Sequence, residues 1–331
     1  MCLNTTGTSR TSRVSDGSDT DVWQVTEPVG GGPQNRDVIP SFLGHVAHRL
    51  WQGQHRPCLK SLKAVKALVQ FRKWNLDDQV MQAVAETGLS HLPSLMYKEL
   101  DATLIAAFVE RWQPDTNTFH MPFGEMTITL HDVHHILGIP IEGETIFRPS
   151  GDGAQAKAAC VGILGVSRAD LETMWIKGGL SAKDFLEHGS KLEGELAGPA
   201  WLMMALGLTL FLGKAGSHIP GALAMEMLLG LKAVGEMSWG SAALAYLYCQ
   251  LGKASRADCR ELAGCLTLLQ AWIYEYFPSL APHPRYASQP GVPRAQAWRP
   301  IPSPYLPEKA ATAQLLIQRR ADLDRLRHDQ V

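Results

Sequence analysis

The sequence predicts a mainly α fold, a compact multi-helix domain with a small β-hairpin near residues 118–130. Two observations support this prediction. Hydrophobic residues make up 45% of the 331 residues, which is enough to bury a sizeable core. Apolar residues also recur at helical spacing through most of the chain, whereas around residues 118–130 they alternate with a period of two.

Composition divides the chain into four regions. Residues 1–40 are rich in Ser, Thr, Asp and Gly and predict a disordered tail, because they offer little to bury. Residues 41–277 carry the helical patterns of a core domain. Residues 278–307 contain nine prolines, which remove backbone donors, so an extended connector is expected. Residues 308–331 predict a charged helix. Its narrow apolar stripe consists of Leu316, Leu323 and Leu326.

The start of the core domain is strongly basic. Residues 38–76 contain no Asp or Glu, and a helix there would bury Leu62, Val65, Leu68 and Val69 while turning lysines to solvent. This pattern is typical of a solvated helix face, and the alternative is a contact with a phosphate or an acidic partner. The positive residues of this basic stretch are Arg49, Arg56, Lys60, Lys63, Lys66, Arg72 and Lys73.

Helices and one hairpin are expected after the basic stretch. Residues 77–87 predict a helix followed by Gly88 at its C′ position. Residues 100–112 predict a second helix, which ends before Pro114. The alternating residues that follow predict a short hairpin with Gly124 in the turn.

Two helix starts have the form of a capping box. Thr129 is followed three residues later by Asp132, and Gly138 marks the end of that helix. Ser167 and Asp170 open a further helix in the same way.

The second half of the chain holds the most apolar segments. Residues 196–213 carry no charge and reach the minimum length of a membrane span, but Pro199 and three glycines interrupt them, which favours a buried core helix. The predicted apolar helices are residues 201–212, 222–234, 241–251 and 260–276.

The bulk properties exclude several classes of protein. The formal net charge is −1, so no global field attracts the chain to nucleic acid or to anionic lipid. The six cysteines form no C-x-x-C pair, which argues against a zinc knuckle or a disulfide framework. The first thirty residues lack the apolar segment of a secretory signal, so the cytosol or the nucleus is expected.

Two blocks of motifs resemble the signature of a known family. The first block is Glu110-Arg111-Trp112, Thr118-Phe119-His120, Gly124-Glu125-Met126-Thr127, Thr129-Leu130 with Asp132, Leu137-Gly138-Ile139-Pro140, and Ile141 with Gly143. The second block is Ser238-Trp239-Gly240-Ser241-Ala242, Leu244, Leu247-Tyr248, Gly264-Cys265-Leu266, Leu269-Gln270, Trp272 and Phe277-Pro278. In order and spacing these blocks resemble the plant mobile domain, which has also carried an aminotransferase-like label.

The resemblance implies a nuclear role in transposon silencing, genome stability and meristem maintenance. It also implies protein partners, among them a long-form serine/threonine phosphatase relative, and a domain that occurs inside transposons. The last residues, Leu323-Asp324-Arg325-Leu326 and Asp329-Gln330-Val331, resemble the closing segment of the family, which normally continues into a Trp and a Pro-Tyr. A truncated C-terminal helix is therefore expected.

The signature residues are expected to have structural roles. Because an unpaired buried charge is costly, we expect Arg111 to pair with Glu125 or Asp132. The aromatic residues Trp112, Phe119, Trp239, Tyr248 and Trp272 are expected in the core rather than on a base-stacking platform. The expected structural network consists of Arg111, Trp112, His120, Gly124, Glu125, Asp132, Trp239, Gly240 and Trp272.

Other constellations have weaker support as active sites. His131, His134 and His135 would share one helix face, but no further ligand stands at metal spacing, so ordinary histidines are favoured. Residues 151–156 resemble a dinucleotide-binding loop but follow no predicted buried strand. Residues 207–214 resemble a P-loop but lack the Ser or Thr that follows its lysine. Aminotransferase chemistry needs a Schiff-base lysine and a phosphate anchor, and neither can be placed. We therefore expect no catalytic residue, metal or cofactor.

The sequence favours a non-enzymatic, transposon-related interaction module that acts through protein partners in the nucleus. One alternative is a nucleic-acid-binding module that uses the basic stretch at residues 49–73. The other is a degenerate transposon-derived enzyme.

Overall fold

The fold is mainly α, as the sequence predicts. The computed structural model describes residues 24–25, 39–61, 64–146, 153–176, 178–213, 218–298 and 309–331. The helices of these residues are α1 (Val46–Trp51), α2 (Val65–Phe71), α3 (Asp78–Glu86), α4 (Leu92–Leu95), α5 (Ala102–Val109), α6 (Leu130–Leu137), α7 (Gly153–Leu164), α8 (Arg168–Met174), α9 (Ala182–Gly189), α10 (Ala197–Thr209), α11 (Leu223–Met227), α12 (Leu231–Gly235), α13 (Trp239–Ala254), α14 (Leu266–Tyr276) and α15 (Lys309–Asp324).

The strands of the described residues are short and form four small sheets. They are β1 (Gln24–Val25), β2 (Gln54–His55), β3 (Lys60–Ser61), β4 (Trp112–Gln113), β5 (Thr118–Met121), β6 (Gly124–Met126), β7 (Trp175–Ile176), β8 (Gly179–Ser181), β9 (His218–Pro220) and β10 (Glu261–Leu262). The sheets are β1-β2, β10-β3, β4-β5-β6 and β7-β8-β9, and only the β10-β3 pair is parallel among them.

The predicted hairpin is present, with one correction to its turn. Strands β5 and β6 pair antiparallel, with Met121 opposite Gly124. Gly124 is therefore the first residue of the second strand, and Pro122 and Phe123 form the turn. Strand β4 adds to this hairpin and pairs Trp112 with Phe119. The helix expected over residues 100–112 consequently ends at Val109.

The capping box predicted at Thr129 is confirmed, and the one predicted at Ser167 is present in part. Ser167 accepts a hydrogen bond from the backbone amide of Asp170 at the start of α8. Asp77 also caps α3, where no cap was predicted from the sequence. Thr129 and Asp132 form a reciprocal capping box at the start of α6. Gly138 ends α6 with φ +68°, a left-handed conformation that glycine adopts without strain.

The apolar helix α10 lies at the centre of the core. Every residue from Ala197 to Thr209 is buried, and the helix contacts α2, α3, α4, α7, α9, α11 and β9. This confirms the predicted core helix, but the helix begins four residues before the predicted range of 201–212 and ends three residues before the end of that range. Of the helices that the structure describes, none combines the length and the apolar character needed to cross a membrane.

Two further predicted helices differ from the structure. Residues 222–234 form α11 and α12, because Gly230 breaks the helix with φ +87°. Residues 260–276 begin with β10, and the helix starts only at Leu266. The sequence prediction extended the helix because Leu262, Ala263 and Cys265, all buried, continue the apolar pattern ahead of Leu266.

The terminal regions differ in part from their predictions. Most of the predicted tail lies outside the described residues, but Gln24–Val25 forms a strand against β2. In the proline-rich region, residues 294–297 form a 3-10 helix that packs on α6 and α14. Ala295 and Trp298 are buried there, so this part is a packed element and not an extended connector.

The C-terminal helix α15 packs against α5. Leu316, Leu323 and Leu326 are buried, which confirms the predicted apolar stripe. This contact brings the last helix beside the first signature motif.

Candidate functional site

A buried cluster of charges lies where α15 meets α5. Glu110, the residue after α5, accepts two hydrogen bonds from Arg320, from Nε at 2.6 Å and from Nη2 at 2.9 Å. Arg56 approaches the same carboxylate with its Nε at 3.4 Å. The exposed fractions of the Glu110, Arg56 and Arg320 side chains are 3%, 1% and 13%. The bidentate Arg320–Glu110 pair is therefore almost fully shielded from water.

Burial and pairing act in opposite directions on the pKa of Glu110. Burial alone would raise this pKa, but attraction to Arg320 and Arg56 outweighs it and holds the pKa below its ordinary value. Arg56 also donates to the backbone oxygen of Ala254 at 2.8 Å. Glu110 is therefore an ionised carboxylate with two guanidinium partners.

Further ion pairs connect α15 to both ends of α5. Asp101, the N-cap of α5, accepts a hydrogen bond from Arg319 at 2.8 Å and also caps the helix through Leu104 N. Beyond the other end of α5, Arg111 Nη2 donates to Asp324 Oδ1 at 2.8 Å. The exposed fraction of the Asp324 side chain is 66%, so this outer pair is weak compared with the buried one.

A cavity of about 400 Å³ opens beside this cluster, between α1, α5 and α15. Phe42, Leu50 and Trp51 form an apolar wall, and Phe42 and Trp51 have ring centroids 4.7 Å apart. Glu110 and Arg320 lie at the polar end. Space of this volume is typical of small-ligand pockets.

Three histidines line the cavity: His45, His55 and His120. His45 Nδ1 accepts from Ala47 N and its Nε2 lies 2.7 Å from the oxygen of Trp112, so both ring nitrogens are engaged. Burial lowers the pKa of His45, and burial together with Arg320 lowers the pKa of His55. These two imidazoles are therefore neutral at pH 7.

The expected pairing of Arg111 with Glu125 or Asp132 is wrong. Arg111 instead binds Asp324 and the backbone oxygen of Arg320. Glu125 lies on the hairpin, where it accepts from Thr118 and contacts His120 at 3.3 Å. Asp132 belongs to the capping box of α6 and accepts from Tyr276 at 2.6 Å. Local contacts satisfy both carboxylates, so neither needs Arg111.

The aromatic signature residues lie in the core. Trp112, Phe119, Trp239 and Trp272 are completely buried, and Tyr248 is half-buried. Phe119 stacks on Trp272 with ring centroids 5.2 Å apart. None of the first four rings is therefore exposed for base stacking.

Gly240 marks a close approach between α13 and the loop after α6. Its amide donates to Pro140 O at 2.7 Å, and a Cβ at this position would lie 2.6 Å from Ile141 Cγ2. A larger residue would push the two elements apart.

The basic stretch does not form one continuous surface. Arg56 is buried in the charge cluster, and Arg72 donates to Pro93 O at 3.0 Å in the first turn of α4. The exposed members are Arg49, Lys60, Lys66, Arg72 and Lys73, and Lys63 lies outside the described residues. The predicted apolar stripe is also partly wrong, because Val69 is 37% exposed while Leu68 and Phe71 are buried. Leu62 lies outside the described residues.

The remaining candidate groups of the sequence do not assemble into a site. Within the described part of the chain, no three His, Cys, Asp or Glu side chains are placed to hold a metal ion. His134 Nδ1 lies 3.1 Å from Ile139 O, and the rings of His131 and His135 stack. Burial raises the pKa values of Cys58, Cys160 and Cys265 to about 12, so these thiols stay protonated and unreactive.

The sequence did not predict the charge cluster, although Glu110 belongs to the first signature block. The available signal was the position of Glu110 at the end of the strongly apolar helix Ala102–Val109, where a carboxylate needs a partner. Nothing in the local sequence indicates that this partner is Arg320, which is 210 positions away.

Fold and site together define a helical module whose first signature motif is joined to its last helix. The chain belongs to the plant mobile domain family, whose model matches residues 88–331. This range includes Glu110 and Arg320, whereas Arg56 lies before it.

Relatives from Arabidopsis thaliana are similar over most of the chain. Protein MAIN-LIKE 2 is 33% identical over 250 residues, which cover 73% of this chain and 36% of that protein. Protein MAINTENANCE OF MERISTEMS is 32% identical over 239 residues, which cover 70% and 48%. A serine/threonine-protein phosphatase 7 long form homolog is 30% identical over 270 residues, which cover 74% and 18%. The chain thus spans less than half of each of these relatives. No solved structure matches it.

Proposed function

We propose that this chain is a non-enzymatic, transposon-related interaction module that acts through protein partners in nuclear transposon silencing, genome stability and meristem maintenance. A long-form serine/threonine phosphatase relative is the first partner to test. The family and the printed names of its Arabidopsis relatives support the biological setting.

The observation that carries this proposal is the chemistry of the cavity. Its described lining contains no hydroxyl, thiol or lysine amine that could act as a nucleophile. Its buried carboxylate, Glu110, is held ionised by two arginines, and both nitrogens of His45 are engaged within the protein. Glu110 and His45 are therefore committed to structural bonds and are not available for proton transfer.

The exposed lysines of the basic stretch are the leading contact surface. Lys60, Lys66 and Lys73 are exposed, and Lys60 has only a 3.4 Å contact to Glu261 with 72% of its side chain exposed. Exposed pairs of this kind contribute little to stability, so these positions tolerate charge reversal. An acidic partner would be attracted to them.

The test is a capture experiment with the full chain in plant nuclei. A triple variant with Lys60→Glu, Lys66→Glu and Lys73→Glu is expected to lose protein partners, including the phosphatase relative, in a salt-sensitive way. A matched control reverses three exposed lysines elsewhere, Lys183, Lys191 and Lys253. Equal partner capture by the wild type and the first variant at every salt concentration would reject the surface.

Nucleic-acid binding is the second candidate function, because the same exposed lysines could meet phosphates. It predicts that affinity for a DNA duplex falls steeply with salt and that the triple variant lowers this salt slope. The burial of Arg56 weakens this candidate relative to a protein partner.

A further inference from the structure

The cavity between α1, α5 and α15 combines apolar walls with an incompletely paired arginine. Small side chains create the space: Ala107 of α5 and Ala321 of α15 both line it. Phe42 and Trp51 offer a rigid aromatic surface on the opposite side. A flat apolar group would fit between these walls.

Arg111 lines the polar end of this cavity. Its Nη2 donates to Asp324 Oδ1 at 2.8 Å and to Arg320 O at 3.1 Å. Its Nε is buried and has no acceptor among the described residues. This Nε is shielded from water, so a ligand in the cavity would meet Arg111 at Nη2, the donor that Asp324 Oδ1 now occupies.

The charge balance of the cluster favours an anion. Three guanidinium groups, those of Arg56, Arg111 and Arg320, face two carboxylates, those of Glu110 and Asp324. The cluster therefore keeps one net positive charge. Asp324 is the weak member, because its side chain is 66% exposed and it lies at the last residue of α15. A carboxylate arriving from the cavity could take its place on Arg111.

We propose that this cavity binds a small amphipathic carboxylate, with its aromatic or branched apolar body against Phe42 and Trp51 and its carboxylate on Arg111. Asp324 then acts as an internal competitor that occupies the anion position when no ligand is bound. This site is independent of the partner surface proposed above.

The test uses the full chain and two probes of equal shape, 3-phenylpropionate and its neutral analogue 3-phenylpropanamide, in calorimetric titrations. We expect the carboxylate to bind with a dissociation constant of about 1 mM or lower and the amide to bind roughly tenfold more weakly. Asp324→Asn should tighten carboxylate binding by roughly threefold or more, because it removes the competitor. Misfolding cannot produce such a gain.

Two further variants separate charge from shape. Arg111→Gln should weaken the carboxylate roughly tenfold and leave amide binding unchanged. Ala321→Phe should fill the cavity and weaken both probes. The proposal is overturned by no heat of binding up to about 10 mM, by equal affinity for acid and amide, or by an Asp324→Asn variant that binds no tighter than the wild type.

Discussion

Replacing Glu110 with Gln tests whether the buried charge cluster holds α15 to the core. The substitution preserves shape but removes the negative charge between Arg56 and Arg320. Arg56, only 1% exposed, would keep the carbonyl oxygens of Ala254 and Arg256 and lose its carboxylate partner. Breaking a buried pair by removing one partner costs about 3–5 kcal/mol, so the free energy of unfolding should fall by about this amount.

Asp324→Asn is the matched control, because it removes a carboxylate from the same interface at an exposed position. Its cost should be about 1 kcal/mol or less. Equilibrium unfolding in urea, followed by tryptophan fluorescence, measures both variants. If Glu110→Gln costs no more than Asp324→Asn, the shielded geometry at Glu110 does not stabilise the fold as argued.

The pH dependence gives a second measure of the same pair. The pKa of Glu110 is lowered in the folded state, so its ionised form contributes stability above the unfolded pKa of about 4.3. This contribution disappears as the pH falls through the folded pKa. The stability difference between wild type and Glu110→Gln should therefore be largest above about pH 5 and shrink in acid.

Three other substitutions, one of them with a matched control, test local features. Gly240→Ala should destabilise the fold by about 2 kcal/mol, because its Cβ would lie 2.6 Å from Ile141 Cγ2. The control is Gly252→Ala in the same helix, where the nearest atom would lie 3.4 Å from the new Cβ, and it should stabilise the fold by up to about 1 kcal/mol. Urea unfolding measures both variants. The pKa of His45 is lowered in the folded state, so the unfolded state binds more protons and stability should fall as the pH drops below about 6.5. His45→Gln should flatten this dependence when unfolding is measured between about pH 7 and pH 5. Thr129→Ala removes a side-chain cap and should lower the unfolding free energy by about 1 kcal/mol, and an unchanged midpoint would contradict the role of the capping box.

Local signals in the sequence predicted the parts of the fold that neighbouring residues determine. The capping box at Thr129 and the helix end at Gly138 involve residues at most nine positions apart, and both are present. The turn was misplaced by one residue because glycine is common both in a hairpin turn and directly after it. Gly124, with φ +137°, lies directly after the turn, as the first residue of β6.

The candidate site could not be predicted in the same way, because its pairs are distant in the chain. Arg111 and Asp324 are 213 positions apart, and the sequence favoured a nearer carboxylate, such as Asp132, as the partner of Arg111. In the structure Asp132 is already engaged by Thr129 and Tyr276. Sequence proximity therefore favoured a pair that local capping had excluded.

The burial of Glu110 makes the folding of the domain depend on the docking of α15. A carboxylate that is 3% exposed needs its partners in place, and its bidentate partner Arg320 lies 210 positions further along the chain. Long-range contacts of this kind form late, because closing a long loop costs entropy before any contact offsets it. Until α15 docks, Glu110 lacks its bidentate partner Arg320 and keeps the 3.4 Å contact with Arg56, and the apolar stripe at Leu316, Leu323 and Leu326 remains exposed. The C-terminal helix is therefore the element that converts the first signature motif from an exposed charge at a helix end into a buried ion pair.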